Sequence, residues 1–306
     1  MKILKLLFPL LLFIFGSCQN EKPLKVDLQK TVDSVTLHSN EKTVIRIGVA
    51  AMLSPEEALP VYNDLINYIG KKLGVQTQMI FSKDYSSMND IVRKNKVVGA
   101  FVCAGPYASG HDKWGMKLLA APVLFGEADY YSYIIVNKNS EIKTFDDLRG
   151  KKFAFTDSIS NTGALVPTYE LAKINETPES YFKQLIYSGG HDKSIEAVAH
   201  KFVDGAAVDQ LVWEYMNKEH SPLTANTKII KKIGPFCIPP FAVSPNIDKK
   251  LFTKMRTILL NMNKDPDGKI ILKKIYIDKF IVVDDECYNS VRKMQDWIKK
   301  NMNKEY

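Results

Sequence analysis

Ser160, Asn161 and Thr162 stand side by side immediately before the apolar run from Gly163 to Ile174, which is spaced as a helix. Hydroxyl and amide side chains there join the free N–H groups of the first helical turn, so their donors converge on one spot suited to a small anion. An exposed helix start favours negative charge by roughly 0.3 to 1 kcal/mol, and more when partly buried. Plain capping accounts for the three residues equally well, since Ser, Asn and Thr are ordinary caps. A second cluster, Ser188-Gly189-Gly190-His191-Asp192, sets a histidine at the start of another helix behind two glycines whose backbone can approach a ligand closely. His191 can donate an N–H to an oxyanion. Asp192 reads as a helix cap, because a further carboxylate would repel the anion.

Asp209 ends the apolar stretch Ala206-Ala207-Val208 and by itself reads as a helix cap. Tyr85 and Tyr107 follow strands, where open α/β sheets bind ligands, and Tyr107 serves packing equally well. Tyr133 and Trp213 fit core packing better than a cleft wall. Ser160, His191 and Asp209 have the types of a hydrolytic triad, but types alone do not make one. The chain has no HExxH, GxSxG or GxxxxGK[ST] sequence, and the expectation is a binding protein rather than an enzyme.

The elements that must position these residues alternate strand and helix. Val44 to Ala50 reads as a buried strand. Ser54-Pro55-Glu56-Glu57 reads as a capping box opening a helix that runs to about Lys72 and ends at Gly74, with Leu59, Val61, Tyr62, Leu65, Ile66 and Ile69 inside. A strand at Val75 to Phe81, a helix at Ser86 to Lys94 and a strand at Val97 to Cys103 complete a β-α-β-α-β series, which argues for a parallel sheet with helices on its faces. Beyond a strand near Leu118 to Val123 and the stiff stretch Tyr131 to Asn137, a second series follows. It has strands at Lys152 to Thr156, Leu185 to Tyr187 and Ala206 to Val208, with helices from Gly163 and from Asp192. Lys231 to Val243 is apolar and Pro-rich, and helices at Lys249 to Met262, Gly268 to Ile275 and Tyr288 to Met302 complete the chain. Two crossings divide it into a lobe of residues 43–130 plus 244–306 and a lobe of residues 131–243, the C-terminal segment lying with the lobe that holds Val44.

The first residues carry Lys2 and Lys5, then an apolar run from Leu6 to Phe15, then Gly16-Ser17-Cys18. The run is shorter than the roughly 20 apolar residues that span a bilayer, and it suits the core of a cleaved secretion signal. Gly16-Ser17-Cys18 resembles the lipobox of bacterial lipoproteins, which implies a signal peptide of residues 1–17, lipidation of Cys18 and a polar stalk over residues 18–42. Besides Cys18 the sequence has Cys103, Cys237 and Cys287, so at most one pair can close, and no CxxC spacing suggests zinc or redox work. The formal net charge is +8, but the lysines are scattered in short pairs without a nucleic-acid-binding motif, so nucleic acid is not an expected partner.

The phrase from Thr144 to Phe155, followed by Ser160 to Pro167, resembles the type II periplasmic-binding-protein fold. More narrowly, it is similar to the phosphonate, phosphite and phosphate-binding family of ABC transporters. Asp84-Tyr85, Gly105-Pro106-Tyr107, Ser188 to Asp192 and Ala206 to Asp209 extend the resemblance over about Val44 to Ile298. It implies an α/β, two-lobed type II fold with two crossover strands, closing around a small phosphorus oxyanion. In the family the residues matching Ser160, Asn161, Thr162 and His191 hold the phosphoryl group, although Asn161 stands where a hydroxyl residue is commoner. Tyr85 and Tyr107 would form the opposite wall, and Asp209 matches an acidic position that in some members meets an amine. The resemblance further implies a monomer outside the cytoplasm, held at the membrane by its lipid and recognised by ABC permease subunits, with no metal, nucleotide or redox cofactor. A lipid-anchored sensor or scaffold, or a carrier of another small oxyanion or zwitterion, would use the same fold.

Overall fold

The computed structural model describes residues 43–302; the signal peptide, the stalk and Cys18 assigned from the sequence lie outside the described residues. The first sheet is built from β1 (Val44–Val49), β2 (Gln76–Phe81), β3 (Gly99–Phe101), β4 (Lys117–Leu124), β10 (Phe241–Val243) and β11 (Ile277–Ile281), in the order β11-β4-β10-β3-β1-β2. The second contains β5 (Asp129–Asn137), β6 (Lys152–Phe155), β7 (Gln184–Tyr187), β8 (Gly205–Asp209) and β9 (Thr227–Cys237), in the order β7-β6-β8-β5-β9. β1 pairs parallel with β2 and β3, and β6 pairs parallel with β7 and β8, as the two α/β series require. The chain passes from the first sheet to the second between β4 and β5 and returns between β9 and β10. β5 and β9 run antiparallel beside each other from Asp129↔Cys237 to Asn137↔Thr227, so both passages lie together.

Helix α1 (Pro55–Leu73) takes proline in its first turn and stops at Gly74, whose φ of 74° suits glycine. Its buried stripe includes Leu65, Ile66 and Ile69, whereas Leu59, expected inside, is 51% exposed. The expected capping box does not form. The Ser54 side chain makes no cap bond, and its backbone N–H donates instead to Oδ1 of Asp192 at 3.0 Å. Helix α2 (Tyr85–Arg93) is capped by Asp84, which accepts the Ser87 N–H. Helix α3 (Ala104–Trp114) occupies a stretch that Gly105, Pro106 and Gly110 make look like a loop. Pro106 falls in the first turn, where an N–H has no intrahelical partner, so the proline costs the helix nothing there. Gly105 meets the second lobe, for a Cβ on it would lie 2.5 Å from the Ile159 carbonyl oxygen.

β9 and β11 are further elements not expected from the sequence. β9 contains Gly234 and Pro235, and it tolerates them because it lies at the edge of its sheet. In the second lobe α4 (Val166–Ala172), α5 (Pro178–Tyr181), α6 (His191–Ala199), α7 (Gln210–Lys218) and α8 (Pro222–Ala225) flank the sheet. The remaining helices are α9 (Lys249–Asn261), α10 (Pro266–Lys274) and α11 (Asn289–Met302). α11, expected with the lobe that holds Val44, packs on α3 of that lobe and also on α4 of the other, where Trp297 meets Tyr169 edge to face at 5.6 Å.

Cys237 at the end of β9 is disulfide-bonded to Cys287 before α11, while Cys103 stays free and buried. The bond closes a loop over a sequence separation of 50 and ties the returning passage to the C-terminal helix. The Cys237→Ser/Cys287→Ser double variant should lose about 2 to 4 kcal/mol of stability. Urea unfolding would show this as a lower midpoint, and an unchanged midpoint would refute it.

Candidate functional site

The second lobe presents its donors where strands end and helices begin. After β6 the chain turns through Thr156 and Asp157, and Asn161–Leu165 form a wide π turn that runs into α4. The Leu165 N–H reaches back five residues to the Ser160 carbonyl at 2.9 Å, and such turns are frequent at functional sites. Gly163 makes the turn possible, because a Cβ there would lie 2.6 Å from Oγ1 of Thr156. Oγ of Ser160 accepts the Gly163 N–H at 3.1 Å, so the capping expected of this residue occurs. His191 begins α6, and Asp209 ends β8 and caps α7 by accepting the Leu211 N–H at 2.7 Å.

The first lobe contributes Tyr85 from the start of α2, and β5 contributes Tyr130. Tyr85, Tyr130, Ser160, Asn161, Thr162, His191 and Asp209 are all buried, none more than 1% exposed. The Tyr85 hydroxyl lies 3.4 Å from Nε2 of His191, and Nδ2 of Asn161 donates to the Tyr130 hydroxyl at 2.9 Å. Ser132, two residues along β5 from Tyr130 and therefore on the same face, donates from its hydroxyl to the Thr162 carbonyl at 2.6 Å.

The hydrogen bonds fix the His191 tautomer. Nδ1 accepts the Asp209 backbone N–H at 3.0 Å, so Nδ1 carries no proton, and the Thr156 hydroxyl 2.9 Å away donates to it as well. The neutral ring therefore bears its hydrogen on Nε2, pointing at Tyr85. Burial lowers the His191 pKa to about 3, so the ring is neutral at ordinary pH. Burial also raises the Asp209 carboxyl to about 7 against the bonds from the Leu211 and Val212 N–H groups, and it keeps the Tyr85 hydroxyl protonated.

Three polar side-chain atoms around this cluster, Oγ of Ser54, Oδ1 of Asn161 and Oγ1 of Thr162, are buried without a hydrogen-bond partner among the described residues. Such atoms are rare in a folded interior, because each forfeits about 1 to 3 kcal/mol of hydration. Among the described residues no Lys or Arg hydrogen-bonds to any member of the cluster, and no group of three or more His, Cys, Asp or Glu could hold a metal ion. The arrangement can surround one small anion with neutral O–H and N–H donors beside two helix starts.

Of the residues singled out in the sequence, Tyr85, Ser160, Asn161, Thr162, His191 and Asp209 come together. Tyr107 does not join them: it lies in the first turn of α3, its hydroxyl donates to Oδ1 of Asp285 at 2.7 Å, and its ring packs on Tyr288. Tyr133 donates to Glu214 and Trp213 to Thr227, which leaves both in packing roles. Asp192 leaves its own helix uncapped and serves the start of α1 instead. Sequence reasoning missed Tyr130, Ser54 and Thr156. Tyr130, Ser54 and Thr156 join the cluster only through contacts between residues distant along the chain. The triad geometry is not assembled, because His191 faces the backbone of Asp209 and not its carboxyl.

Residues 47–288 match the family model described as ABC transporter, phosphonate, periplasmic substrate-binding protein. The phosphonates-binding periplasmic protein of Escherichia coli is 27% identical over 244 residues, which cover 78% of this chain and 72% of that protein. Among solved structures, a binding-protein component of an ABC phosphonate transporter from Pseudomonas aeruginosa has a TM-score of 0.81 at 24% identity, covering 86% of this chain and 88% of that one. The structure of PhnD1 from Prochlorococcus marinus in complex with methylphosphonate has a TM-score of 0.76 at 19% identity, covering 85% of this chain and 98% of that one. The fold is thus that of the type II periplasmic binding proteins. With the family match spanning both sheets and the whole donor cluster, this chain belongs to the periplasmic phosphonate substrate-binding proteins of ABC transporters.

Proposed function

We propose that the chain binds a phosphonate outside the cytoplasm, holds its phosphoryl oxygens between the lobes and delivers it to the permease of an ABC importer. The observation that carries this reading is that Oγ of Ser54, Oδ1 of Asn161 and Oγ1 of Thr162 are buried without partners among the described residues, in the same buried polar region as the Nε2–H of His191. A phosphoryl group has three oxygens, each able to accept from O–H and N–H donors, so it satisfies what the protein leaves unpaired. The Ser54 and Thr162 hydroxyls donate directly. Turning the Asn161 amide over lets Oδ1 accept the Tyr130 hydroxyl and turns the NH2 group toward the anion, an exchange that preserves its shape. Hydrogen bonds to a charged group contribute about 1.5 to 3 kcal/mol each, which offsets the loss of the anion's water.

Closure follows from the same residues. The His191 backbone N–H donates to the Met52 carbonyl at 3.0 Å and the Tyr85 N–H to Oδ2 of Asp157 at 3.0 Å, both across the lobes. Anchoring at the membrane through lipidated Cys18 completes the proposal and rests on Gly16-Ser17-Cys18 after the apolar run.

Calorimetric titration of ligand-stripped protein with methylphosphonate, 2-aminoethylphosphonate, phosphite and phosphate should show tight binding of at least one phosphonate. Combining Ser160→Ala with His191→Ala should weaken it by roughly tenfold to a hundredfold for each donor removed. Failure of all four compounds to bind a folded sample would overturn the phosphorus-oxyanion reading.

Asp209 adds a pH dependence. Its folded pKa of about 7 lies above its unfolded value, so the carboxyl is neutral at lower pH and ionises as pH rises through about 7. Its contribution to folding stability is whole below about pH 4 and is lost over that same rise. An ionised Asp209 also repels the anion. The ratio of wild-type to Asp209→Asn affinity for methylphosphonate should fall by about tenfold between about pH 6 and about pH 8.5. Titration of the ligand itself is common to both proteins and cancels in the ratio, so a pH-independent ratio would refute the effect. For the anchor, Cys18→Ala should release the protein from the membrane fraction or leave it uncleaved, and unchanged partitioning with unchanged mass would contradict lipidation.

A further inference from the structure

We propose that Ser54-Pro55-Glu56-Glu57 at the start of α1 is a two-position switch, in which a local capping box favours parted lobes and Asp192 of the second lobe displaces it when they meet. Glu57 thereby restrains ligand affinity without touching the ligand. The inference deepens the reading that the lobes close around a phosphonate, and it rests on it. The four residues have the spacing of a complete box, with Ser at the cap, Pro in the first turn and Glu three residues on. The backbone has the cap form too, with Ser54 at φ −59° and ψ 155°. Only the side chains are disengaged. Oγ of Ser54 is buried without a partner among the described residues, and the Glu57 N–H that a box would bring to it goes to the Ser54 carbonyl at 3.1 Å. The Glu57 side chain is exposed and has no hydrogen bond or ion pair among the described residues.

What displaces the box is a contest for one donor. In a capping box the glutamate side chain accepts the N–H of the cap residue. Here that N–H goes to Oδ1 of Asp192, 138 residues along the chain and 3.0 Å away, and the neighbouring His191 N–H donates to the Met52 carbonyl. Residues 52–54 are thus clipped to the first two residues of α6. One N–H cannot serve two carboxylates fully, and two carboxylates converging on it repel each other. When the lobes part, Asp192 leaves with the second lobe and the Ser54 N–H loses its partner, whereas Glu57 stays on the same helix and takes it. Each arrangement satisfies one donor through a different acceptor, which gives the segment two stable positions. A ligand has to draw the protein from the boxed position into the clipped one. Its apparent affinity is then the intrinsic affinity scaled by the fraction of molecules already clipped.

The test is calorimetric titration of ligand-stripped wild-type, Glu57→Ala and Glu57→Gln proteins with methylphosphonate and 2-aminoethylphosphonate. Glu57→Ala removes the carboxylate at an exposed position and leaves a good helix former, so the variant should fold. It should tighten binding by about two- to tenfold, the range of a lost cap, and by the same factor for each compound that the wild type binds. Glu57→Gln should bind like the wild type, because glutamine also closes a capping box. The ligand-free alanine variant should nevertheless melt about 1 to 4 °C lower, since its open form has lost a cap. A lower melting point without tighter binding would make Glu57 purely structural and overturn the switch. Equal tightening by both variants would overturn it as well, because that is the signature of plain repulsion between the Glu57 charge and the anion. In either case phosphonate binding by the wild type leaves the earlier reading intact. Absence of phosphonate binding by the wild type would sink that reading and the switch with it.

Discussion

The hydrogen bond from the Asp209 backbone N–H to Nδ1 of His191 decides what the imidazole can do. A neutral histidine has one donor and one acceptor nitrogen, and an isolated ring is free to exchange them. Here the acceptor is committed to the protein, so the donor faces the interior of the cleft. The bond requires the end of β8 and the start of α6 to be neighbours, which in turn depends on the parallel pairing of β6 with β8 at Phe153↔Gly205 and Ala154↔Ala206. At that pairing a Cβ on Gly205 would lie 3.2 Å from the Phe153 ring of β6 and 2.7 Å from Cδ2 of Leu148 above the sheet.

The site and the contact between the lobes are made by the same residues. Tyr85 and His191 turn side chains toward the cluster while their backbone N–H groups bond across the lobes to Asp157 and Met52. Asp192 does the reverse, sending its carboxylate to the N–H of Ser54. Buried polar atoms without partners carry a desolvation cost that a bound group able to pair with them would relieve. On the proposed function, a solute that pairs with these atoms would favour the closed arrangement by its differential affinity for it. Gly105 permits the approach, since any side chain there would strike the Ile159 carbonyl.

The absence of lysine and arginine bonds among the cluster's described contacts shapes the electrostatics. An anion bound there would meet neutral hydroxyls, an amide, a neutral imidazole and helix starts, whose aligned N–H groups supply partial positive charge without a titrating cation. Asp209 stays compatible with this because its carboxyl is held by its own helix and is raised by burial toward neutrality.

What the sequence determined by itself was whatever depends on residues close together along the chain. Alternating strands and helices announced an α/β fold of two series. The runs Ser160-Asn161-Thr162 and Gly189-Gly190-His191 marked helix starts rich in donors, because capping and glycine freedom are local effects. The same local logic misjudged α3, where Gly105 and Pro106 look like a loop until their place in the first turn is known, and it misjudged Ser54, whose capping box yields to Asp192 from the other lobe. Tertiary structure alone decided that Tyr130 rather than Tyr107 meets the cluster, that Cys237 pairs with Cys287, and which nitrogen of His191 bears the proton. Each of these joins groups 18 or more residues apart, and such partners are selected by the packing of two sheets, which no local pattern of residue types encodes.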